Sequence, residues 1–282
     1  MTQRKLDMGL AWTQATGLIG ANKDTVGAIA GLFFFLPGLA LALLAPELAS
    51  PQPAGPAGSD PQAAFEGMMN QLTQAYAENW PIFAAVTIAQ FVGSLSLLAL
   101  LTDRGHPTVG EALTTGLKSS PSYLAAQILS TMGIALAIGL PLGLVAAAGS
   151  LTTTVLVGLV LVVVGIYMFI KFSLLAPVVA IDGELNPFAA LARSWRLTKG
   201  NSFRIAAFLV LLFVTIGIIA ALVSGILGLV LAAFGSSIAA IGNGIVSAAV
   251  NTLVGVIFLV VIAAIHRQLA GQSPEGLAAT FE

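Results

Sequence analysis

Residues 186–204 read NPFAALARSWRLTKGNSFR and run straight into a tract, Ile205 to Ile265, that contains no charged residue. Asn186 is a good N-cap, and Pro187 suits the first helical position, where a missing N–H leaves nothing unpaired. Gly200 supplies a left-handed stop, so a helix is predicted from Pro187 to Lys199. Phe188, Leu191, Ala192 and Trp195 recur at three- and four-residue steps and form one apolar face, with Arg193, Arg196 and Lys199 off it. Such a helix suits a membrane surface, with Trp195 at headgroup depth. The tract after it is too long for one crossing of a hydrocarbon core ~30 Å thick, which takes about 20 residues at about 1.5 Å each. It must reverse, and Gly235, Ser236 and Ser237 are the turn residues that fit.

Working outward, the same arithmetic places six spans, near residues 25–44, 81–101, 122–148, 151–172, 203–224 and 238–265. Only 8% of the 282 residues are charged and 57% are hydrophobic, far from the balance of a water-soluble domain. The reading is an all-α polytopic membrane protein, a single membrane domain over residues 1–282. Six spans put both termini on one side. All eleven Lys and Arg then fall on that side: Arg4, Lys5, Lys23, Arg104, Lys118, Lys171, Arg193, Arg196, Lys199, Arg204 and Arg267. Glu47, Asp60, Glu66 and Glu78 lie on the other. By the positive-inside rule the termini are cytoplasmic, and a bacterial inner membrane is expected. The N-terminus has no signal-peptide core, since Asp7 interrupts its apolar run, and is expected to be retained.

Two further surface helices are predicted. Asp7 can cap one carrying Met8, Ala11, Trp12, Ala15, Leu18 and Ile19. Thr108 and Glu111 form a capping box for another, with Val109, Ala112, Leu113 and Leu117 as its stripe and Lys118 at its end. The chain thus reads as three repeats of interfacial helix plus helical hairpin, over about 6–102, 106–181 and 186–268, with a short tail at 269–282. One outer loop, about 45–80, opens with five prolines and continues as a helix bearing Phe65, Met68, Met69, Leu72 and Tyr76 on one face. Kinks are expected at Leu36-Pro37-Gly38 and at Leu140-Pro141-Leu142.

The segment 174–204, LLAPVVAIDGELNPFAALARSWRLTKGNSFR, has an apolar approach to Pro177, a short turn from Asp182 to Leu185, and an Arg-Ser-Trp-Arg-Leu-Thr-Lys-Gly-Asn core. It resembles the hallmark of the glycerophosphoryl diester phosphodiesterase membrane domain family, multi-span bacterial and archaeal proteins with amphipathic elbows. Some relatives in that family are fused to a phosphodiesterase barrel, and many stand alone. The resemblance implies the stand-alone form, because a barrel needs ~250 soluble residues and a metal-holding carboxylate and histidine cluster.

No catalytic constellation, metal site or cofactor motif is visible. The two histidines, His106 and His266, lie far apart in sequence, the chain has no cysteine, and a net charge of -1 argues against nucleic acid. Arg193, Arg196, Lys199 and Arg204 are the candidate contacts for anionic lipid headgroups, with Trp12, Phe188, Leu191 and Trp195 as interfacial anchors. Asn243, Ser247 and Asn251 line one face of the sixth span, with shorter stripes at Gln90/Ser94 and Gln127/Thr131. They fit interhelical hydrogen bonding, and a permeation path is the alternative. Lys171 is expected at a span edge, snorkelling into headgroups. The function expected is a non-catalytic module engaging membrane lipids, a partner membrane protein or a second copy of itself. A small-molecule or lipid transporter is the alternative, and an intramembrane enzyme of lipid metabolism ranks third.

Overall fold

The computed structural model describes residues 5–44, 61–102 and 108–271. Its elements are α1 (Met8–Ala21), α2 (Lys23–Ala30), a π-helical turn (Gly31–Phe35), α3 (Leu36–Leu44), α4 (Pro61–Leu100), α5 (Val109–Ala147), α6 (Leu151–Phe172), α7 (Leu175–Ala180), α8 (Pro187–Thr198), α9 (Ser202–Ala232) and α10 (Ser236–Ala270). Among the described residues no strand occurs, and six helical stretches are long and apolar enough to cross a membrane: Lys23–Leu44, Glu66–Leu100, Val109–Ala147, Thr152–Ala180, Ser202–Ala232 and Ser236–Ala270. Arg4, Arg104, His106, the first part of the outer loop and the tail from residue 272 lie outside the described residues.

Contacts divide the chain into two compact units, Met1–Lys23 with Ser94–Phe213 and Phe258–Glu282, and Asp24–Gly93 with Val214–Ile257. The division cuts α4, α9 and α10 and does not follow the predicted repeats. It sorts positive charge completely: all eleven Lys and Arg fall in the sequence ranges of the first unit, and none in the second.

In the first unit the core is aliphatic, with Leu95, Leu97, Leu98, Leu174, Leu175, Val178, Ile205 and the run Val260–Ile265 buried. The three predicted surface segments all lie here and follow one rule. Small residues face the protein: Ala11 and Ala15 on α1, Ala112 and Gly116 at the start of α5, and Ala190, Ser194 and Thr198 on α8. Large apolar side chains point away, with Trp12 45%, Leu117 64% and Phe188 68% exposed. Without a hydrophobic gain between helices in lipid, small residues that let backbones approach closely are what favour association. The outward aromatic and aliphatic groups are then left for the membrane.

The segments differ in how they join the spans. α1 gives way to α2 at Asn22, and α8 ends at Thr198 before Gly200, whose φ of 79° is the left-handed stop. The second does not end at all. α5 runs unbroken from Val109 to Ala147, and Pro121 and Pro141 both sit inside it. The predicted separate helix over 108–118 is therefore corrected. A proline removes one bond to the carbonyl four residues back without forbidding helical φ, so a helix can carry it through.

In the second unit, Pro37 acts one turn earlier than predicted. Its ring crowds the carbonyl of Phe33, and the backbone answers with a π-helical turn in which Leu36 N–H donates to Gly31 O. α4 packs against this turn at Gly93, where an added Cβ would lie 2.3 Å from Phe33 Cβ. Lower in α4, Asn79 leaves helical geometry (φ -110°, ψ 17°) two residues before Pro81, whose missing N–H and ring disrupt the helical bonding of the preceding turn. The loop helix and the second span therefore meet at a break near Trp80.

Candidate functional site

The segment from α6 to α8 is built to hold one carboxylate. α7 closes with Ile181 N–H donating to Pro177 O at 2.7 Å, and Gly183 at φ 73° turns the chain. Asn186 then caps α8, its Oδ1 accepting from the N–H groups of Phe188 (3.0 Å) and Ala189 (3.3 Å), while Glu184 Oε1 accepts from Asn186 N–H. The turn is pinned to α5 by Ser122, whose hydroxyl donates to Leu185 O. Asp182, in the middle of this turn, points inward. Its Oδ2 accepts from Arg193 Nε at 2.5 Å and from His266 Nε2 at 3.1 Å, and the Asp182 and His266 side chains are 7% and 0% exposed.

Burial alone would raise the Asp182 pKa. The hydrogen bonds and charges of His266 and Arg193 outweigh it and hold the carboxyl below its ordinary value. An ionised Asp182 makes Nε2 the protonated nitrogen of the His266 contact. Asp182 Oδ1 and His266 Nδ1 are both buried with no partner among the described residues. Asp182 and His266 are two ligand-type groups, and no third carboxylate or histidine joins them among the described residues. The arrangement is suited to locking the α7–α8 turn onto α10.

Around this triad the polar residues of the first unit serve backbone groups. Leu6 N–H donates to Asn201 Oδ1 at 2.9 Å, and Leu6 O accepts from Arg204 at 3.0 Å. Gln268 does the same for the next residue, its Oε1 accepting from Asp7 N–H and its Nε2 donating to Asp7 O. Arg267 donates to Leu101 O at the end of α4. The Asp7 carboxylate caps α1 through Leu10 N–H.

The pattern of the family described as a domain of unknown function (DUF7847) matches residues 109–269. The chain belongs to the DUF7847 family. No curated protein and no solved structure matches it. The DUF7847 segment runs from the start of α5 almost to the end of α10, so Asp182, Arg193 and His266 all fall inside it.

Within the DUF7847 segment the four candidate headgroup contacts separate into two kinds. Arg193 is turned to Asp182 and is 38% exposed, and Arg204 donates to Leu6 O. Arg196 and Lys199 are exposed and make no ion pair among the described residues. Among the anchors, Phe188 and Trp12 face outward, and Leu191 is partly buried against the cluster of Ala126, Leu175, Val178, Val179 and Ala190. Trp195 is 38% exposed and stacks edge-on against Tyr167 at 5.9 Å.

Lys171 departs from expectation. It is 2% exposed, with its ammonium 5.2 Å from the Tyr167 ring and 5.4 Å from the Trp195 ring. Instead of snorkelling it is roofed by α8, and cation–π attraction replaces hydration. Its carbonyl accepts from Ser194 Oγ at 2.8 Å, so one residue ties α6 to α8 by both backbone and side chain.

The polar stripes line pockets. In the first unit Gln127 and Thr131 border a cavity of about 280 Å³ with Tyr123, Phe169 and Phe172. In the second unit Ser247, Asn251 and Gln90 border one of about 430 Å³. Asn243 instead packs against Gly228. None of Asn243, Ser247 and Asn251 makes a side-chain hydrogen bond among the described residues, so the interhelical bonding expected of these three is not seen there.

Proposed function

We propose that the chain is a non-catalytic integral membrane module that engages anionic lipid headgroups at the outward surface of α8. The observation that carries this reading is the double face of α8. Ala190, Ser194 and Thr198 are spent on packing, which leaves Phe188, Trp195, Arg196 and Lys199 together on the opposite side. Aromatic anchors beside unpaired cations are the chemistry of a lipid interface, at about 1 kcal/mol for each basic residue near an anionic surface. The setting we propose is a bacterial inner membrane with both termini cytoplasmic, and the analogy is to the stand-alone glycerophosphoryl diester phosphodiesterase membrane domain that segment 174–204 resembles. A partner membrane protein or a second copy would share this surface.

The test is lipid retention. Protein carrying Arg196→Gln with Lys199→Gln, purified from membranes and analysed by mass spectrometry, should keep several-fold less anionic lipid than the parent at equal yield. Equal retention would reduce the basic residues to a topogenic role. A second reading, passage of a small molecule or lipid, is favoured by Ser247 and Asn251 at the pocket of the second unit, which make no side-chain hydrogen bond among the described residues.

A further inference from the structure

The 430 Å³ pocket of the second unit falls within the volume range of small-molecule sites, roughly 300–1,000 Å³. Three elements build it. α10 contributes Ser247, Asn251 and Thr252, α4 contributes Gln90, and the π-helical turn and α3 contribute Phe34 and Leu41. The Thr252 hydroxyl is spent on Ala248 O at 2.7 Å in its own helix. Ser247 and Asn251, one helical turn apart, make no side-chain hydrogen bond among the described residues. Polar side chains at membrane depth are unfavourable unless something bonds them. Phe34 reaches the pocket from the widened turn that Pro37 imposes, and such π-bulges recur at functional sites.

Charge narrows the occupant. The second unit has no Lys or Arg to receive an anion, and no carboxylate lines the pocket to receive a cation. What remains is an uncharged hydrogen-bonding head. Phe34 and Leu41 offer an apolar flank beside the polar wall, so the head belongs with a hydrocarbon tail. We infer that this pocket binds the hydroxyl-bearing head of a neutral amphiphile, with Asn251 and Ser247 as its hydrogen-bonding contacts. The site is independent of the α8 surface and stands or falls without it.

The chain contains no cysteine, so a single introduced thiol reports on one place. Full-length Ala42→Cys, at a lining position that makes none of the proposed contacts, is reacted in phosphatidylcholine nanodiscs with N-ethylmaleimide, with 1-monooleoylglycerol or oleate added at the same mole fraction. The expected result is a several-fold slowing by monooleoylglycerol, little slowing by oleate, and no effect of either on a control Leu229→Cys, which is 78% exposed in the parent. Equal slowing by oleate would overturn the selectivity for an uncharged head, and no slowing by either would overturn the site. Gly38→Cys, where an added Cβ meets only Ala248 Cβ at 3.9 Å, gives the same readout should Ala42→Cys assemble poorly.

Discussion

His266 Nε2 lies 3.1 Å from Asp182 Oδ2 in a buried site, joining residues 84 apart in the chain. Arg193 completes the cluster from the neighbouring helix, so removing the shared carboxylate strands two partners at once. Asp182→Ala should lower stability by about 3 kcal/mol, as broken buried ion pairs do, with His266→Ala and Arg193→Ala each costing less. Thermal unfolding of the three variants in one detergent checks the order.

Acid should expose the same carboxylate. Folded Asp182 holds its proton less tightly than the unfolded chain, so its stabilisation is complete above the ordinary value of 3.8 and is lost as pH falls through the lowered folded value. The stability gap between parent and Asp182→Asn should therefore be widest near neutrality and narrow towards pH 3. A gap of constant size across unfolding curves at pH 7, 5 and 3 would exclude this origin.

Gly93→Ala places a methyl group 2.3 Å from Phe33 Cβ, too close to relieve by rotating a side chain. A destabilisation of about 1–3 kcal/mol is expected, in the range of overpacked cores. Combining it with Phe33→Ala should recover less than all of it, because Cβ of residue 33 is still present. Full recovery in a double-variant unfolding series would place the clash in the ring alone.

The two faces of α8 should respond oppositely. Ser194→Val enlarges a fully buried position and removes the hydroxyl that donates to Lys171 O, so unfolding should become easier by about 1–3 kcal/mol. Phe188→Ala, at an exposed site, should alter stability by less than about 0.5 kcal/mol. It should instead reduce lipid co-purification, which measurement on the same preparations separates from folding.

Topology gives a prediction that needs no purified protein. Ser59→Cys should react with an impermeant thiol reagent on intact cells and Ser273→Cys should not, following the one-sided Lys and Arg distribution. Labelling at residue 273 would reverse the orientation.

Much of the fold was legible because helix caps and span lengths are local. Asn186, Pro187 and Gly200 bound α8, Thr108 with Glu111 forms the capping box, and Gly149 and Gly235 turn the hairpins, all readable within a few residues. The buried face of α8 was not legible, since hydrophobic periodicity weights Phe188 and Trp195 above the small residues that pack closest. The Asp182–His266 contact was also hidden, because nothing in a single sequence pairs a turn with the far end of the last helix. A signal was present in each half: an acid inside the specific segment, and a histidine closing an uncharged tract.

Leu6 and Asp7 have all four of their backbone hydrogen-bonding groups satisfied by the side chains of Asn201, Arg204 and Gln268. Asn201 lies 195 residues, Arg204 198 and Gln268 261 further along the chain, so they leave the ribosome well after the residues they hold. At synthesis rates of about 5–20 residues per second, Leu6 and Asp7 must wait roughly ten seconds or more for these side chains to be made. Docking of Leu6 and Asp7 is thus a late event in assembly, and it can be completed only once Gln268 of α10 is in place.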